Sequence, residues 1–188
     1  MTHRPLLVVS GTNRPGSVTL KVARAVLGHY AKLGVPAELY DLTDLPPDLF
    51  LPTAYAAKPA AFVAVQQRVV AAAGLHVVTP EYNGSFPGVL KYFIDMLKFP
   101  ESFVHKPVAF VGVAGGVWGA LRPVEQLQMV FAYRNAHLYP DRVFAPGVAA
   151  KLAADGSVTD PDLDARLAKQ AEGFARFAHV LGGHAAGT

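Results

Sequence analysis

A chain of 188 residues that is 52% hydrophobic and 16% charged has enough apolar side chains for a sizeable core, which excludes a disordered linker or tail. Seventeen Lys and Arg against 14 Asp and Glu leave a formal charge of +3 without a long basic run, a balance that suits small anionic ligands and argues against nucleic acid. The absence of cysteine removes disulfides and thiolate chemistry and accords with a reducing, cytoplasmic setting.

Met1-Thr2-His3-Arg4-Pro5 leads into Leu6-Leu7-Val8-Val9, an apolar run too short for a signal segment or a membrane span, so no membrane insertion is expected. It reads as the first strand, Leu6 to Ser10. A helix from Ser17 to Leu33 follows, then a strand from Ala37 to Tyr40. Pro46-Pro47 through Pro59 has no helical period and reads as an irregular loop. The second helix spans Ala60 to Ala73, the third strand Leu75 to Thr79 and the third helix Phe86 to Lys98. That third helix carries Val89, Leu90, Phe93, Ile94 and Leu97 on one apolar face and Tyr92, Met96 and Phe99 on a second, so it needs two covers. One is a sheet; the other is either a partner subunit or deeper burial in the same chain, and a homodimer or homotetramer is expected.

A fourth strand at Val108 to Val113, a helix at Arg122 to Ala136 and a fifth strand at Leu138 to Phe144 complete the alternation. The last helix, Asp162 to Leu181, starts from Asp160 as N-cap and Pro161 in its first turn, with Leu163, Leu167, Ala171, Phe174, Ala178 and Leu181 as its apolar stripe. Regular βα alternation predicts an α/β protein, residues 1–188 forming one domain with a five-stranded parallel sheet between two helical layers. In a sheet of order 2-1-3-4-5 the ligand crevice opens beyond the carboxyl ends of strands 1 and 3, where they part.

Both of those strands run into polar loops. Ser10-Gly11-Thr12-Asn13-Arg14-Pro15-Gly16-Ser17-Val18-Thr19 joins the first strand to a helix N-terminus, an arrangement that binds anions. The hydroxyls of Thr12, Ser17 and Thr19, the backbone N–H groups and the Arg14 guanidinium supply donors enough for a terminal phosphate. A capping Ser17 with a solvated Arg14 is the plainer alternative. Gly11 to Gly16 has Walker spacing, but Ser17 stands where the lysine belongs; the dinucleotide G-x-G-x-x-G is absent, and Asp41 reads better as a loop cap than as a ribose partner. The third strand ends in Thr79-Pro80-Glu81-Tyr82-Asn83-Gly84-Ser85, where proline stiffens the chain and Asn-Gly favours a left-handed turn, forming a ledge for a flat polar ligand. Ala114-Gly115-Gly116-Val117-Trp118-Gly119 follows the fourth strand on the same rim; Trp118 either flanks a ligand or packs half-buried.

Ser85 does not sit in a G-x-S-x-G elbow and is read as a helix cap. His3, His29, His76, His105, His137, His179 and His184 have no ligand spacing, so no metal is expected, and His76 reads as a satisfied core histidine.

Gly-Thr-Asn-Arg-Pro-Gly-Ser at 11–17, Pro-Glu-Tyr-Asn-Gly-Ser-Phe-Pro-Gly-Val-Leu-Lys at 80–91 and Gly-Gly-Val-Trp-Gly-Ala-Leu-Arg at 115–122 resemble the NADPH-dependent FMN reductase family of flavodoxin-like proteins, which includes quinone, chromate and azo-dye reductases. The resemblance implies a flavodoxin-like fold with bound FMN, NADPH or NADH as hydride donor, and a small electron acceptor. It assigns the FMN phosphate to Thr12, Arg14, Ser17, Val18 and Thr19, the isoalloxazine border to Pro80, Glu81, Tyr82, Asn83 and Gly84, and its pyrimidine edge to Gly115 and Gly116. No side-chain acid or base is required in the ping-pong cycle that it implies. Asn83 and Gly84 would tune the flavin through N–H donors, and Glu81 would position it. The competing expectation is a flavodoxin-like electron carrier without NADPH activity.

Overall fold

The computed structural model describes residues 4–184, with side chains through Gly182. His3 and the side chain of His184 lie outside the described residues. The elements are β1 (Leu6–Ser10), α1 (Val18–Lys32), β2 (Ala37–Asp41), α2 (Ala60–Ala71), β3 (Gly74–Pro80), α3 (Gly88–Met96), β4 (Pro107–Val113), α4 (Leu121–Tyr133), β5 (His137–Leu138), β6 (Val143–Ala145) and α5 (Pro161–His184). All strands pair in parallel in the order β2-β1-β3-β4-β5, and β6 also pairs with β4. This is the order of the flavodoxin-like fold that the resemblance implies, with one strand more.

Every residue of β1, β3 and β4 is buried, because helices cover both faces of the sheet. Leu7, Val9, Leu75, Val77 and Phe110 pack with α2, α3 and α4, while Leu6, Val8, Val78, Ala109 and Val111 pack with α1 and α5. The period-2 alternation thus divides one apolar strand between two cores.

The fifth expected strand is broken. His137–Leu138 pairs with Pro107–Val108 and Val143–Ala145 pairs with Val111–Val113, and between them the chain leaves the ladder. Pro140 has no N–H to give to a neighbour. The Phe110 carbonyl opposite the gap accepts instead from Gln170 Nε2 at 2.9 Å, and the same amide reaches the Asp141 carbonyl at 2.8 Å. An α5 side chain therefore replaces the missing strand partner. Gln170 Oε1 also accepts from His76 Nε2 at 3.1 Å, while Tyr30 OH donates to His76 Nδ1 at 2.7 Å, so His76 is a satisfied core histidine as its surroundings in the sequence suggested. Burial pushes its pKa down to about 4.

The second apolar face of α3 is covered largely within the chain. A short 3-10 turn at Leu42–Asp44 precedes the segment expected to be irregular, and two more, Pro47–Phe50 and Pro52–Tyr55, lie within it. Phe50 stacks on Tyr92 with ring centres 5.1 Å apart, and Tyr92 OH donates to the Leu49 carbonyl at 2.7 Å. Met96 is buried and Phe99 is exposed. The helix is also shorter than expected, starting after Pro87. Asp160 caps α5 as expected, accepting from Leu163 N at 2.8 Å.

At the amino end of the sheet two cations close the C-terminus of α2. Lys106 Nζ donates to the carbonyls of Val69, Val70 and Ala72 at 3.2, 3.0 and 2.7 Å. Arg4 reaches Val70, Ala71 and Ala72 at 2.9, 2.8 and 3.1 Å. Carbonyls that a helix end leaves without partners are thereby satisfied, with positive charge at the negative end of the dipole. Burial, with Arg4 adding repulsion, lowers the Lys106 pKa to about 8.

Candidate functional site

The loops after β1, β3 and β4 stand side by side at the carboxyl end of the sheet, since Ser10 is in register with Val78 and Pro80 with Val113. Gly11 starts the first loop where only glycine fits: a Cβ there would lie 2.8 Å from the Val78 carbonyl oxygen and 3.0 Å from Leu90 Cδ2. Gly16, with φ +64°, turns the chain into α1. Ser17 is the N-cap, its Oγ accepting from Leu20 N at 3.1 Å. That bond takes one of the orphan donors of the helix start and leaves the N–H groups of Ser17, Val18 and Thr19 for a ligand. Thr12 and Thr19 are buried, whereas Arg14 stands exposed. Ser10 Oγ is buried beneath this loop with no hydrogen-bond partner among the described residues.

The second loop is a two-residue hairpin turn. Tyr82 N donates to the Ser85 carbonyl at 2.8 Å and Ser85 N to the Tyr82 carbonyl at 3.1 Å, with Asn83 at φ +54° and Gly84 at φ +77°. Positive φ at both central positions is the type I′ geometry that Asn-Gly adopts. The turn uses neither the Asn83 nor the Gly84 N–H. Pro80 is buried in the sheet, and Glu81 N donates to the Val113 carbonyl at 3.2 Å, which anchors the ledge to β4. Ser85 is not a helix cap: its hydroxyl donates to Gln126 Oε1 on α4 at 2.6 Å, and the residue preceding α3 is Pro87, which has no side chain to cap with.

The two loops meet. Thr12 Oγ1 and Tyr82 OH are 2.9 Å apart, and Thr12 Oγ1 also accepts from Arg14 N at 3.3 Å. One threonine therefore holds the loop after β1 against the turn after β3 across the switch point.

The third loop is pinned at its base by Ala114 N donating to the Ala145 carbonyl and Val148 N to the Ala114 carbonyl, both at 3.2 Å. Gly115 and Gly116 are exposed at ordinary φ, and a Cβ on either would meet nothing within 4 Å. No protein atom requires glycine there, so the free space suits the close approach of a planar ligand. Trp118 is 67% exposed, which removes the packing alternative. Arg122, the last residue of the third motif, has its Nη1 3.7 Å from the place of a Gly84 Cβ. Its separation of 38 positions from Gly84 hid that proximity. A cavity of about 410 Å³ opens beside the first loop, between Gly16, Leu20 and Arg24 on one side and Asp41 and Asp44 on the other. Asp41 Oδ1 accepts from Thr43 N at 3.4 Å, the capping role expected.

Among the described residues no group of three or more His, Cys, Asp or Glu converges as a metal site, and no helix is long and apolar enough to cross a membrane. A helix N-terminus with open donors, buried hydroxyls, an exposed arginine, a turn with unused N–H groups and an open glycine loop fit a monophosphate joined to a flat heterocycle.

The chain is 32% identical over 185 residues to the NADH-dependent FMN reductase SfnF of Pseudomonas fluorescens (strain Pf0-1), covering 96% of this chain and 95% of that one. It is 32% identical over 143 residues to an NADPH azoreductase of Bacillus sp. (strain OY1-2), covering 76% and 77%. Its fold is similar to that of the flavoenzyme FerB, an NAD(P)H:(acceptor) oxidoreductase from Paracoccus denitrificans, with a TM-score of 0.76 at 24% identity over 94% of this chain and 98% of that one. Residues 5–150 match the profile of the NADPH-dependent FMN reductases, and the chain belongs to that family.

Proposed function

We propose that this oxidoreductase works by a ping-pong cycle in which NADPH or NADH and then a small quinone-like acceptor use the same open face in turn. The observation that carries this reading is the Thr12–Tyr82 hydroxyl contact at 2.9 Å, which makes one continuous surface of the two loops at the switch point. FMN, when bound, would supply the redox chemistry, two-electron transfer from the nicotinamide to the acceptor.

The protein binds and orients it. Thr12, Arg14, Ser17, Val18 and Thr19 hold the phosphate, Arg14 by a charge-assisted bond and the others by hydroxyl or backbone donors at the start of α1. Pro80, Glu81, Tyr82, Asn83 and Gly84 border the ring, with Glu81 as a positioning residue. The N–H groups of Asn83 and Gly84, fixed by the type I′ turn, would offer donors to the ring, and Gly115 and Gly116 would admit its pyrimidine edge. Residues 1–188 act in this reading as one cytoplasmic domain that assembles as a homodimer or homotetramer, and the exposed Phe50, Leu51 and Tyr55 supply apolar surface for that contact.

The test is to release FMN by heat from the purified protein and to follow NADPH and NADH oxidation at several quinone concentrations. Yellow protein with parallel double-reciprocal lines is expected. Intersecting lines overturn the ping-pong order, colourless protein that FMN does not reconstitute overturns the site, and yellow protein inert to both nicotinamides indicates an electron carrier.

A further inference from the structure

At the opposite end of the sheet, away from the loops described above, two histidines 32 positions apart face one another. His105 precedes β4 and His137 begins β5, and the two segments are tied by His137 N donating to the Lys106 carbonyl and His105 N to the Asn135 carbonyl, both at 2.9 Å. His105 Nδ1 and His137 Nε2 are 3.3 Å apart, with ring centres at 5.1 Å. Two imidazole nitrogens bound to one tetrahedral zinc at 2.0–2.1 Å are about 3.3 Å apart, and their ring centres about 5.2 Å. A hydrogen bond between the rings at this nitrogen separation is a bent one, since a straight N–H···N bond would hold the ring centres roughly 5.6 Å apart. The rings have the spacing of two ligands on a shared ion.

The backbone at His105 adds an independent observation. Its φ of +59° is left-handed, a region that residues with a Cβ adopt rarely, His and Asn more often than most. The neighbouring cations are engaged elsewhere: Lys106 points inward to the α2 carbonyls, and Arg134 lies over the Phe99 ring at 4.8 Å.

We propose that His105 and His137, brought together at the amino ends of β4 and β5, form an exchangeable binding site for a divalent transition-metal ion, with Zn(II) as the matching ion. Imidazole nitrogens suit Zn(II) and discriminate against Mg(II) and Ca(II), which require oxygen ligands. No third protein ligand joins the pair among the described residues, so water completes the coordination and the ion exchanges with solution. Because β4 is seven residues long, the site lies about 20 Å from the carboxyl-end loops. The ion cross-links the entrances of two adjacent strands, and so stabilises the fold without touching the cofactor.

The experiment uses untagged, chelator-treated full-length protein. Zn(II) is titrated by calorimetry, and thermal unfolding is followed with Zn(II) or Mg(II). The expected result is one saturable Zn(II) per chain, a midpoint that rises with Zn(II) but not with Mg(II), and at least tenfold weaker binding in both His137→Ala and His105→Asn. Asparagine tolerates the positive φ, so His105→Asn keeps the loop, and unchanged FMN content in both variants shows that they fold. Absence of saturable binding in the wild type, or equal Zn(II) binding in the wild type and both variants, overturns the proposal.

Discussion

The two ends of the sheet handle polar groups in opposite ways. At the amino end, the carbonyls that finish α2 are filled by Lys106 and Arg4. The buried His76 belongs with this closed pattern, since both ring nitrogens are bonded. At the carboxyl end, donors at the start of α1 and in the Asn83-Gly84 turn are left open, Gly115 and Gly116 face free space, and Val117 and Trp118 are exposed. Closed hydrogen bonding makes stability and open hydrogen bonding makes a binding surface. Mutations at the closed end should therefore alter folding but not flavin affinity, and mutations at the open end should do the reverse.

The largest expected effect is acid destabilisation through His76. Its folded pKa of about 4 lies below the unfolded value of about 6.5, so between these values the unfolded chain binds the additional proton. Stability contributed by the neutral ring is complete above about pH 6.5 and falls as the pH drops toward 4, by about 3 kcal/mol. Urea unfolding at pH 7 and pH 4.5 should show this loss in the wild type and a shallower one in His76→Gln; equal slopes would remove His76 from the account. Next is Lys106→Met, which keeps the apolar stem but leaves the Val69 carbonyl without a donor. A cost of about 2.5 kcal/mol is expected, tempered by relief of the buried charge, with FMN affinity unchanged. Altered flavin binding in this variant would break the division between the ends.

Arg14→Ala tests the open end. FMN binding should weaken by about 2 kcal/mol, the worth of one charge-assisted bond, while the unfolding midpoint of the apoprotein stays in place. Loss of apoprotein stability instead would mean that Arg14 is structural. The smallest effect is expected from Gly115→Ala. With no protein atom within 4 Å of the new methyl group, stability should not fall, while FMN affinity should drop by about 1 kcal/mol as the methyl crowds the ring. Flavin fluorescence quenching measures both affinities.

Much of the fold was legible because its signals are local. β1, β3 and β4 are short apolar runs bounded by glycine or proline, and Asp160-Pro161 marks the start of α5 by capping chemistry alone. The site loops were legible for the same reason: each follows a strand directly, and Asn-Gly specifies a type I′ turn without outside help. What escaped depends on distant partners. The split of the last strand rests on Gln170, 60 positions from Phe110, and the covering of α3 rests on Phe50 and Leu49. The Ser85 hydroxyl found Gln126, not a helix N–H, because Pro87 rather than Ser85 stands at the helix start.

By itself the sequence determined the order of strands and helices, the glycine and proline turns, and which loops follow which strands, because backbone preference and hydrophobic period act over a few residues. Only the tertiary structure decided that Thr12 meets Tyr82, that Arg122 stands beside Gly84 and that His105 meets His137, at separations of 70, 38 and 32 positions. Those meetings follow from strand register and from the crossovers that lay each helix on the sheet, which no local pattern encodes.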